Sequence, residues 1–473
     1  MIDYNDTLPG ADMADYDLVV IGGGPGGYVA AIRAGQLGLK TALVEREHVG
    51  GICLNWGCIP SKALLRNAEV VQYVRHASDW GIAFDNLHLD FGKAVERSRQ
   101  VVQRLVRGVE FLLRKSKVEV IRDEAVLRGN GQVALKASGR IISASYVVVA
   151  TGARPRSLPV LPLDGQVVLT SREALERRDL PASCIIVGGG ATGCEFAYLY
   201  NAYGVQVTIV ELLPHLLPNE DEEVSQALER AFQKQGIRFQ TGAKVTGLQR
   251  NGGQATLTVD TPQGTQSLTA QRVLVCVGVQ PNSEGIGLQE AGVGVEKGGW
   301  VSTDERQRTS APHIYAIGDV TGRMPLAHVA SAQGILAVET IAGKETRPLD
   351  YTLMPRAVYC NPQVASWGLT EKQAQEAGHQ VKVGKFPFMA NGKALALGEG
   401  EGFVKVVADA QYGEILGVHM VGPEVTELLP EMALARLLEG TVRETGWLVH
   451  AHPTLSEALK EASLAALGEA IHI

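Results

Sequence analysis

Two segments of this sequence repeat one pattern at one spacing, and few folds accommodate both. In the first, the run Asp17-Leu18-Val19-Val20-Ile21 leads into Gly22-Gly23-Gly24-Pro25-Gly26-Gly27. An Ala-rich stretch, Tyr28–Leu37, follows, and a second apolar run, Lys40–Val44, ends in Glu45. In the second, Ser183–Val187 leads into Gly188-Gly189-Gly190-Ala191-Thr192-Gly193, then a helical stretch from Glu195, then Val205–Val210 and Glu211. Gly22 to Glu45 and Gly188 to Glu211 are each 23 residues. Strand, G-x-G-x-x-G, helix, strand and terminal acid together form the fingerprint of a dinucleotide-binding βαβ unit. Gly22 and Gly188 allow the tight turn, Gly24 and Gly190 let the backbone approach a pyrophosphate, and Gly27 and Gly193 let helix and strand pack closely. The helix N-terminus offers free N–H groups and a positive dipole end to the anion. Glu45 and Glu211 are positioned to accept hydrogen bonds from ribose hydroxyls. Two complete copies imply two dinucleotides and a doubly wound α/β fold.

The 473 residues suffice for about three domains at roughly 150 residues each. With 45% hydrophobic and 20% charged residues, a large core is expected and global disorder is not. A net charge of −7 argues against nucleic acid as a partner. Leu18–Ile32 is uncharged but has only 15 residues, five of them glycine, so no membrane span is expected there. Met1–Asp17 is acidic and lacks the basic start of a signal peptide, and Met1–Asp15 is expected to be a mobile tail. Six cysteines do not make a disulfide scaffold. The expectation is a soluble, cytoplasmic, multidomain protein.

Between the copies, Val102, Leu105, Val106, Val109, Leu112 and Leu113 fall at helical spacing. The segment Glu96–Lys117 carries seven basic and two acidic residues, read as a solvated face in preference to a basic partner site. Ser145–Ala150, Arg272–Val277 and His313–Ile317 each read as a strand ending at a glycine turn, at Thr151-Gly152, Gly278 and Gly318-Asp319. Such strands suit returns to a parallel sheet beside a ligand. From about Tyr351 the pattern changes to short strands (Ala357–Tyr359, Phe403–Val407, Ile415–Val421) and helical segments (Glu427–Leu438, Leu455–Leu467), a separate α+β domain.

Cys53 and Cys58 lie five apart in Gly50-Gly51-Ile52-Cys53-Leu54-Asn55-Trp56-Gly57-Cys58-Ile59-Pro60-Ser61-Lys62. Five residues of straight helix rise about 7.5 Å, too far for a disulfide. A bond would need a distorted segment, which Asn55, Gly57 and Pro60 permit. No second Cys/His cluster has zinc spacing, so no metal is expected and a redox-active dithiol is preferred. Cys184, Cys194, Cys276 and Cys360 read as small core residues. Near the C-terminus, His450-Ala451-His452-Pro453-Thr454-Leu455-Ser456-Glu457 offers an imidazole suited to proton transfer with a thiol, and a carboxylate to orient it. From spacing alone, His452 reads equally as a surface or capping residue, and Glu457 as the start of a helix.

The motifs GGICLNWGCIPSKALL, ATGARP, VGGGATGCEFA, AIGDV and HAHPTLSE, in this order, resemble the pyridine nucleotide–disulfide oxidoreductases from about Tyr16 onward, and among them the enzymes that oxidise dihydrolipoamide. The resemblance implies two Rossmann-like domains plus an α+β dimerisation domain: residues 1–153 for FAD, 154–281 for NAD, a central domain at 282–350 completing the FAD site, and an interface domain at 351–473. It implies FAD held by Gly22, Gly24, Gly27, Glu45, Lys62, Thr151, Gly152 and Asp319. It implies NAD held by Gly188, Gly190, Gly193, Glu195, Glu211 and Gly278, with Lys62 and Glu195 as an ion pair near the flavin. Cys53 would be the interchange thiol, Cys58 the charge-transfer thiol, His452 the acid–base residue reached from the other subunit of a homodimer, and Glu457 its orienter. The expected reaction is oxidation of protein-bound dihydrolipoamide with reduction of NAD⁺. The expected partners are the lipoyl domains and acyltransferase core of a 2-oxo acid dehydrogenase complex, or a glycine-cleavage lipoyl protein. A glutathione-type reductase and a mainly structural flavoprotein subunit are the alternatives. Glu211, followed by Leu212-Leu213-Pro214-His215 with no arginine, favours NAD over NADP. Thr192 and Cys194 stand where larger aliphatic residues are common in the family, and Gln280 where arginine is frequent.

Overall fold

The computed structural model describes residues 14–473; the expected mobile tail falls almost wholly outside them. The described chain forms two compact units, one of residues up to 63, 95–156 and 278–349, the other of residues 64–94, 157–277 and 350–473.

The first unit is built on a seven-stranded sheet. Tyr16–Ile21 lies between Thr41–Glu45 and Ile141–Val149 and runs parallel to both. Glu119–Arg122 extends the sheet beside Thr41–Glu45, and Ile314–Ala316 pairs in parallel with Ile141–Val149. Successive side chains of residues 18–21 enter opposite cores: Val19 and Ile21 join one cluster, Leu18 and Val20 the other. A stretch buried on both faces must be apolar throughout, so residues 18–21 and 184–187 are unbroken apolar runs. The helix Pro25–Gln36 covers one face with small residues, Gly26, Gly27, Ala30, Ala31 and Ala34. A Cβ at residue 334 would lie 2.7 Å from Gly26 O, so the helix Ala327–Ile341 packs closely there.

The second unit repeats this design. Ser183–Val187 lies between Gln206–Val210 and Arg272–Val275, all parallel. An antiparallel three-stranded sheet, Lys244–Asn251, Gln254–Thr261 and Gly264–Ala270, has no counterpart in the sequence reading. Its strands are half exposed and rich in polar residues, so they carry no continuous apolar run. The same unit holds an antiparallel five-stranded sheet in the order Arg356–Val358, Gln363–Gly368, Ile415–Gly422, Phe403–Asp409, Val381–Pro387. The helix Glu457–Leu467 presses on its last strand, where a Cβ at residue 384 would lie 1.9 Å from Ala462 O.

The expected strand ends and helices recur within a few residues, with one correction. The helix expected over Glu96–Lys117 is Phe91–Lys115, and Leu105 and Leu112 of its apolar stripe are exposed. Val102, Val109 and Leu113 alone of that stripe are buried, because a single apolar stripe is narrower than the six positions picked by spacing.

Alanine scanning of the two nucleotide-type turns separates packing from ligand space. Gly193→Ala places a Cβ 1.9 Å from Gly188 O, whereas Gly190→Ala meets nothing within 4 Å. Chemical denaturation is expected to show a loss of about 1–3 kcal/mol for Gly193→Ala and little change for Gly190→Ala.

Candidate functional site

At the first fingerprint, Gly22 has φ +105° and a Cβ there would lie 2.3 Å from Ala150 O. Only glycine fits both conditions. Gly27 is equally constrained: a Cβ would lie 1.8 Å from Gly22 O. Gly24, the N-cap of Pro25–Gln36, has no side-chain cap and nothing within 4 Å of its Cβ position. The helix therefore opens onto free space with its leading N–H groups uncapped by any side chain, which suits a pyrophosphate. Glu45 is held in place by two backbone amides: Gly23 N–H donates to Oε2 at 2.6 Å and Glu47 N–H to Oε1 at 2.7 Å.

The second fingerprint reproduces every one of these contacts. Gly188 has φ +107°, with Cys276 O 2.3 Å from its Cβ position. Gly189 N–H donates to Glu211 Oε2 at 2.5 Å, and Leu213 N–H to Oε1 at 2.8 Å. Glu211 is buried. Each carboxylate keeps lone pairs beyond these bonds, as a ribose acceptor requires.

Two residues beyond Gly50-Gly51, the chain reaches Cys53. The helix Gly51–Trp56 stops at Gly57 (φ −137°, ψ −115°), and a new helix, Cys58–Arg75, begins at once. This break supplies the distortion that the spacing demands. Asn55 stitches it from within, its Nδ2 donating to Val49 O at 3.1 Å and Gly51 O at 2.9 Å. Arg99 adds a bond from its NH2 to Asn55 O. Both cysteines are half-buried, and a hydrogen bond joins their side chains. The bond to Cys58 pushes the Cys53 thiol far up, and burial and the charge of Cys58 act in the same direction. Lys62 opposes them more weakly. The net effect leaves the Cys53 thiol well above its ordinary value.

Thr151 and Gly152 are tied to the turn opposite: Asn282 N–H donates to Gly152 O, and Asn282 Nδ2 to Thr151 O, both at 3.0 Å. Thr151 Oγ1 is buried without a hydrogen-bond partner. Such an orphaned hydroxyl fits a polar ligand. Burial raises the Asp319 carboxyl above its ordinary range. Gly318 N–H donates to Gln333 Oε1 at 2.6 Å. Gln333 was not foreseen, since one buried glutamine in an apolar helix leaves no pattern. Together, the free space before Gly24, the unpartnered Thr151 hydroxyl and the two-point anchoring of Glu45 suit an extended dinucleotide.

In the C-terminal region, His452 Nδ1 lies 2.9 Å from Glu457 Oε1, and Thr454 N–H donates to Glu457 Oε2 at 2.8 Å. Glu457 is also the first residue of the helix Glu457–Leu467, so both readings of it hold. A carboxylate only accepts, which assigns the hydrogen to Nδ1 and leaves Nε2 as the base. Burial pushes the Glu457 carboxyl up, but the Thr454 amide and then His452 outweigh it, and its pKa falls below the ordinary value. The imidazole is 77% exposed, so it is not a core residue. Beside it, His450 Nε2 lies 2.8 Å from Glu431 Oε1, a second pair the sequence spacing did not reveal. Glu195 is buried and accepts from Tyr359 N–H at 3.0 Å. Gly278 has φ +90° with open space at its Cβ position. Cys184, Cys194 and Cys360 are buried, and Cys276 is half-buried. Among the described residues no group of three or more His, Cys, Asp or Glu could hold a metal, and no helix is long and apolar enough to cross a membrane.

Residues 16–334 match the pyridine nucleotide-disulphide oxidoreductase family, and residues 354–463 match its dimerisation domain. The chain belongs to this family. It is 48% identical to the dihydrolipoyl dehydrogenase of Bacillus subtilis over 97% of this chain and 99% of that protein. It is 50% identical to the dihydrolipoyl dehydrogenase of Chlorobaculum parvum, over 96% and 97%. Among solved structures, LpdA from Mycobacterium tuberculosis superposes with TM-score 0.88 at 29% identity, covering 94% of this chain and 98% of that one. The HOCl-induced flavoprotein disulfide reductase RclA from Escherichia coli gives 0.84 at 26% identity, covering 94% and 98%.

The thiol pair offers a direct test. Cys58→Ala removes the largest influence raising Cys53. Alkylation of Cys53 by iodoacetamide, followed by peptide mapping, is expected to set in at lower pH in Cys58→Ala than in the reduced parent protein.

Proposed function

We propose that this chain oxidises protein-bound dihydrolipoamide to lipoamide and reduces NAD⁺ to NADH, using FAD and a Cys53–Cys58 redox pair. The observation that carries the reading is the hydrogen-bonded pair of thiols at a broken helix, placed directly after the first fingerprint. The cofactors are FAD and NAD. Residues 1–153 form the FAD domain, with Gly22, Gly24, Gly27, Glu45, Lys62, Thr151 and Gly152. Asp319, from a central domain at 282–350, completes that site. Residues 154–281 form the NAD domain, with Gly188, Gly190, Gly193, Glu195, Glu211 and Gly278. Residues 351–473 form the interface domain.

FAD, when bound, supplies a two-electron carrier between the dithiol and the nicotinamide. The chain's own residues do the sulfur chemistry. His452 Nε2 takes a proton from a lipoyl thiol, because only the thiolate is nucleophilic. That thiolate attacks Sγ of Cys53 in the oxidised Cys53–Cys58 pair, the S–S bond breaks, and Cys58 leaves as thiolate. The second lipoyl sulfur then displaces Cys53, closing the lipoyl disulfide and leaving the pair reduced. Glu457 keeps Nδ1 of His452 protonated and the ring oriented. In the proposed homodimer the partner's His452 serves each thiol pair. The match to the dimerisation domain supports this, as do the exposed apolar side chains of Leu434, Leu437, Leu438, Trp447 and Val449. The lipoyl arms of a 2-oxo acid dehydrogenase complex or of a glycine-cleavage protein are the proposed partners. The cytoplasm, where thiols such as these remain reduced, is the proposed compartment.

The deciding assay supplies the FAD-loaded protein with dihydrolipoamide and NAD⁺, with NADP⁺ and with NADPH plus oxidised glutathione in parallel. NADH production in the first mixture alone is expected; turnover of glutathione instead would move the function to another disulfide. His452→Gln is expected to slow lipoamide turnover by about a hundredfold or more, and near-normal rates would remove His452 from the reaction.

A further inference from the structure

The C-terminal sheet carries one row of polar residues across all five strands. Arg356 faces Ser366, Ser366 faces His419, His419 faces Lys405, and Lys405 faces Lys385 in direct cross-strand register. Directly opposed residues project from the same face. Two lysines in direct opposition repel, and Lys405 is only 2% exposed. The row is tolerable because one acidic segment lies along it. Glu220 pairs with Arg356 at 3.0 Å and also accepts from Ser366 Oγ. Both oxygens of Asp221 lie 3.2 Å from Lys405 Nζ. Glu223 bridges the two lysines, 2.6 Å from Lys405 and 2.8 Å from Lys385. Glu371 adds a third carboxylate to Lys405 at 3.0 Å. A buried ammonium with this many partners is strongly held, and removing it leaves uncompensated carboxylates.

The acidic segment runs back into the second fingerprint. Asp221 caps the helix Glu222–Lys234, accepting from Glu223 N–H at 3.1 Å. Ser225 Oγ donates to Leu217 O at 3.2 Å, and Leu217 N–H donates to Gly189 O at 2.9 Å. Leu216 N–H is held by Glu229 at 2.8 Å, and a Cβ at Gly189 would lie 2.6 Å from Leu216 Cδ2. Gly189 is also the glycine whose amide anchors Glu211. From Lys405 to Gly189 the connection is thus continuous: ion pairs, a helix cap, the side-chain bond from Ser225 to Leu217 O, and the backbone bond from Leu217 to Gly189 O.

We propose that Lys405 is a positioning residue for the nucleotide fingerprint, holding the segment between Glu211 and Glu223 so that Leu217 clamps Gly189 in its binding conformation. This rests on the reading of Gly188–Gly193 and Glu211 as the NAD site. Lys405 touches no ligand; it acts through Asp221, Glu223 and the segment they end.

The test uses the FAD-loaded protein and two variants. Lys405→Met removes the ammonium, and Asp221→Asn weakens its grip while keeping a residue that caps helices well. Lys234→Met is the control, since Lys234 joins the far end of the same helix to Glu401 through an exposed ion pair. Two quantities are read: hydrogen exchange at the Leu217 amide, and NADH affinity by nicotinamide fluorescence. In Asp221→Asn the Leu217 amide is expected to exchange faster and NADH to bind roughly two- to thirtyfold more weakly, with Lys234→Met unchanged in both. If Lys405→Met does not fold, Asp221→Asn decides. Unchanged Leu217 protection and unchanged NADH affinity in Asp221→Asn would overturn the proposal, as would equal losses in Lys234→Met. A parent protein that binds no NADH, with Leu217 protection still lost in Asp221→Asn, would overturn the nucleotide reading and leave the mechanical coupling standing.

Discussion

How closely the helix Pro25–Gln36 approaches its preceding strand is limited by a single carbonyl. Gly22 O occupies the place where a side chain at residue 27 would begin, and Ala150 O occupies the place where one at residue 22 would begin. Only with both side chains absent can the helix start at the strand's end, aim its N-terminus into open space, and leave Glu45 beside Gly23. The same geometry, formed by Gly188, Gly193 and Cys276 O, governs the second unit. Each dinucleotide-type cradle is therefore set by backbone packing, and the chemistry around it inherits its position from that packing.

The thiol pair depends on the first cradle in a simple way. A Cβ at Gly51 would lie 2.7 Å from Gly24 Cα, so the segment that carries the cysteines begins in contact with the cradle turn. From there the break at Gly57, stitched by Asn55 and Arg99, turns five residues of separation into a hydrogen bond.

Much of this was legible in the sequence because backbone constraints write themselves into residue type. Gly22, Gly27, Gly188 and Gly193 have no substitutes, and strands buried on both faces have to be apolar, so the two βαβ units and their acids were readable. The need for a distorted segment between Cys53 and Cys58 followed from helix rise alone. From spacing alone the His452–Glu457 pair stood level with a bland reading; the family resemblance gave it a role, and the structure joins the two side chains. What escaped lacked periodicity. The sheet Lys244–Ala270 is half exposed, Gln333 is a lone polar residue in an apolar helix, and the row from Arg356 to Lys385 brings together residues from five strands whose register no local pattern records. Leu105 and Leu112 fit a helical period and still face solvent, since periodicity states which positions share a side but not how wide the covered side is.

The carboxylates of Glu45 and Glu211 each receive two backbone amides before any ligand arrives. They are keystones of their turns as well as recognition groups. An attempt to re-engineer this chain for a phosphorylated coenzyme by exchanging Glu211 for a neutral or basic side chain would therefore release the amides of Gly189 and Leu213 along with the charge. A successful redesign has to supply a new acceptor for those two donors, for instance a short polar side chain at the same position, before adding a cation elsewhere. Coenzyme choice and turn architecture are written in the same side chain, and selection on one is constrained by the other.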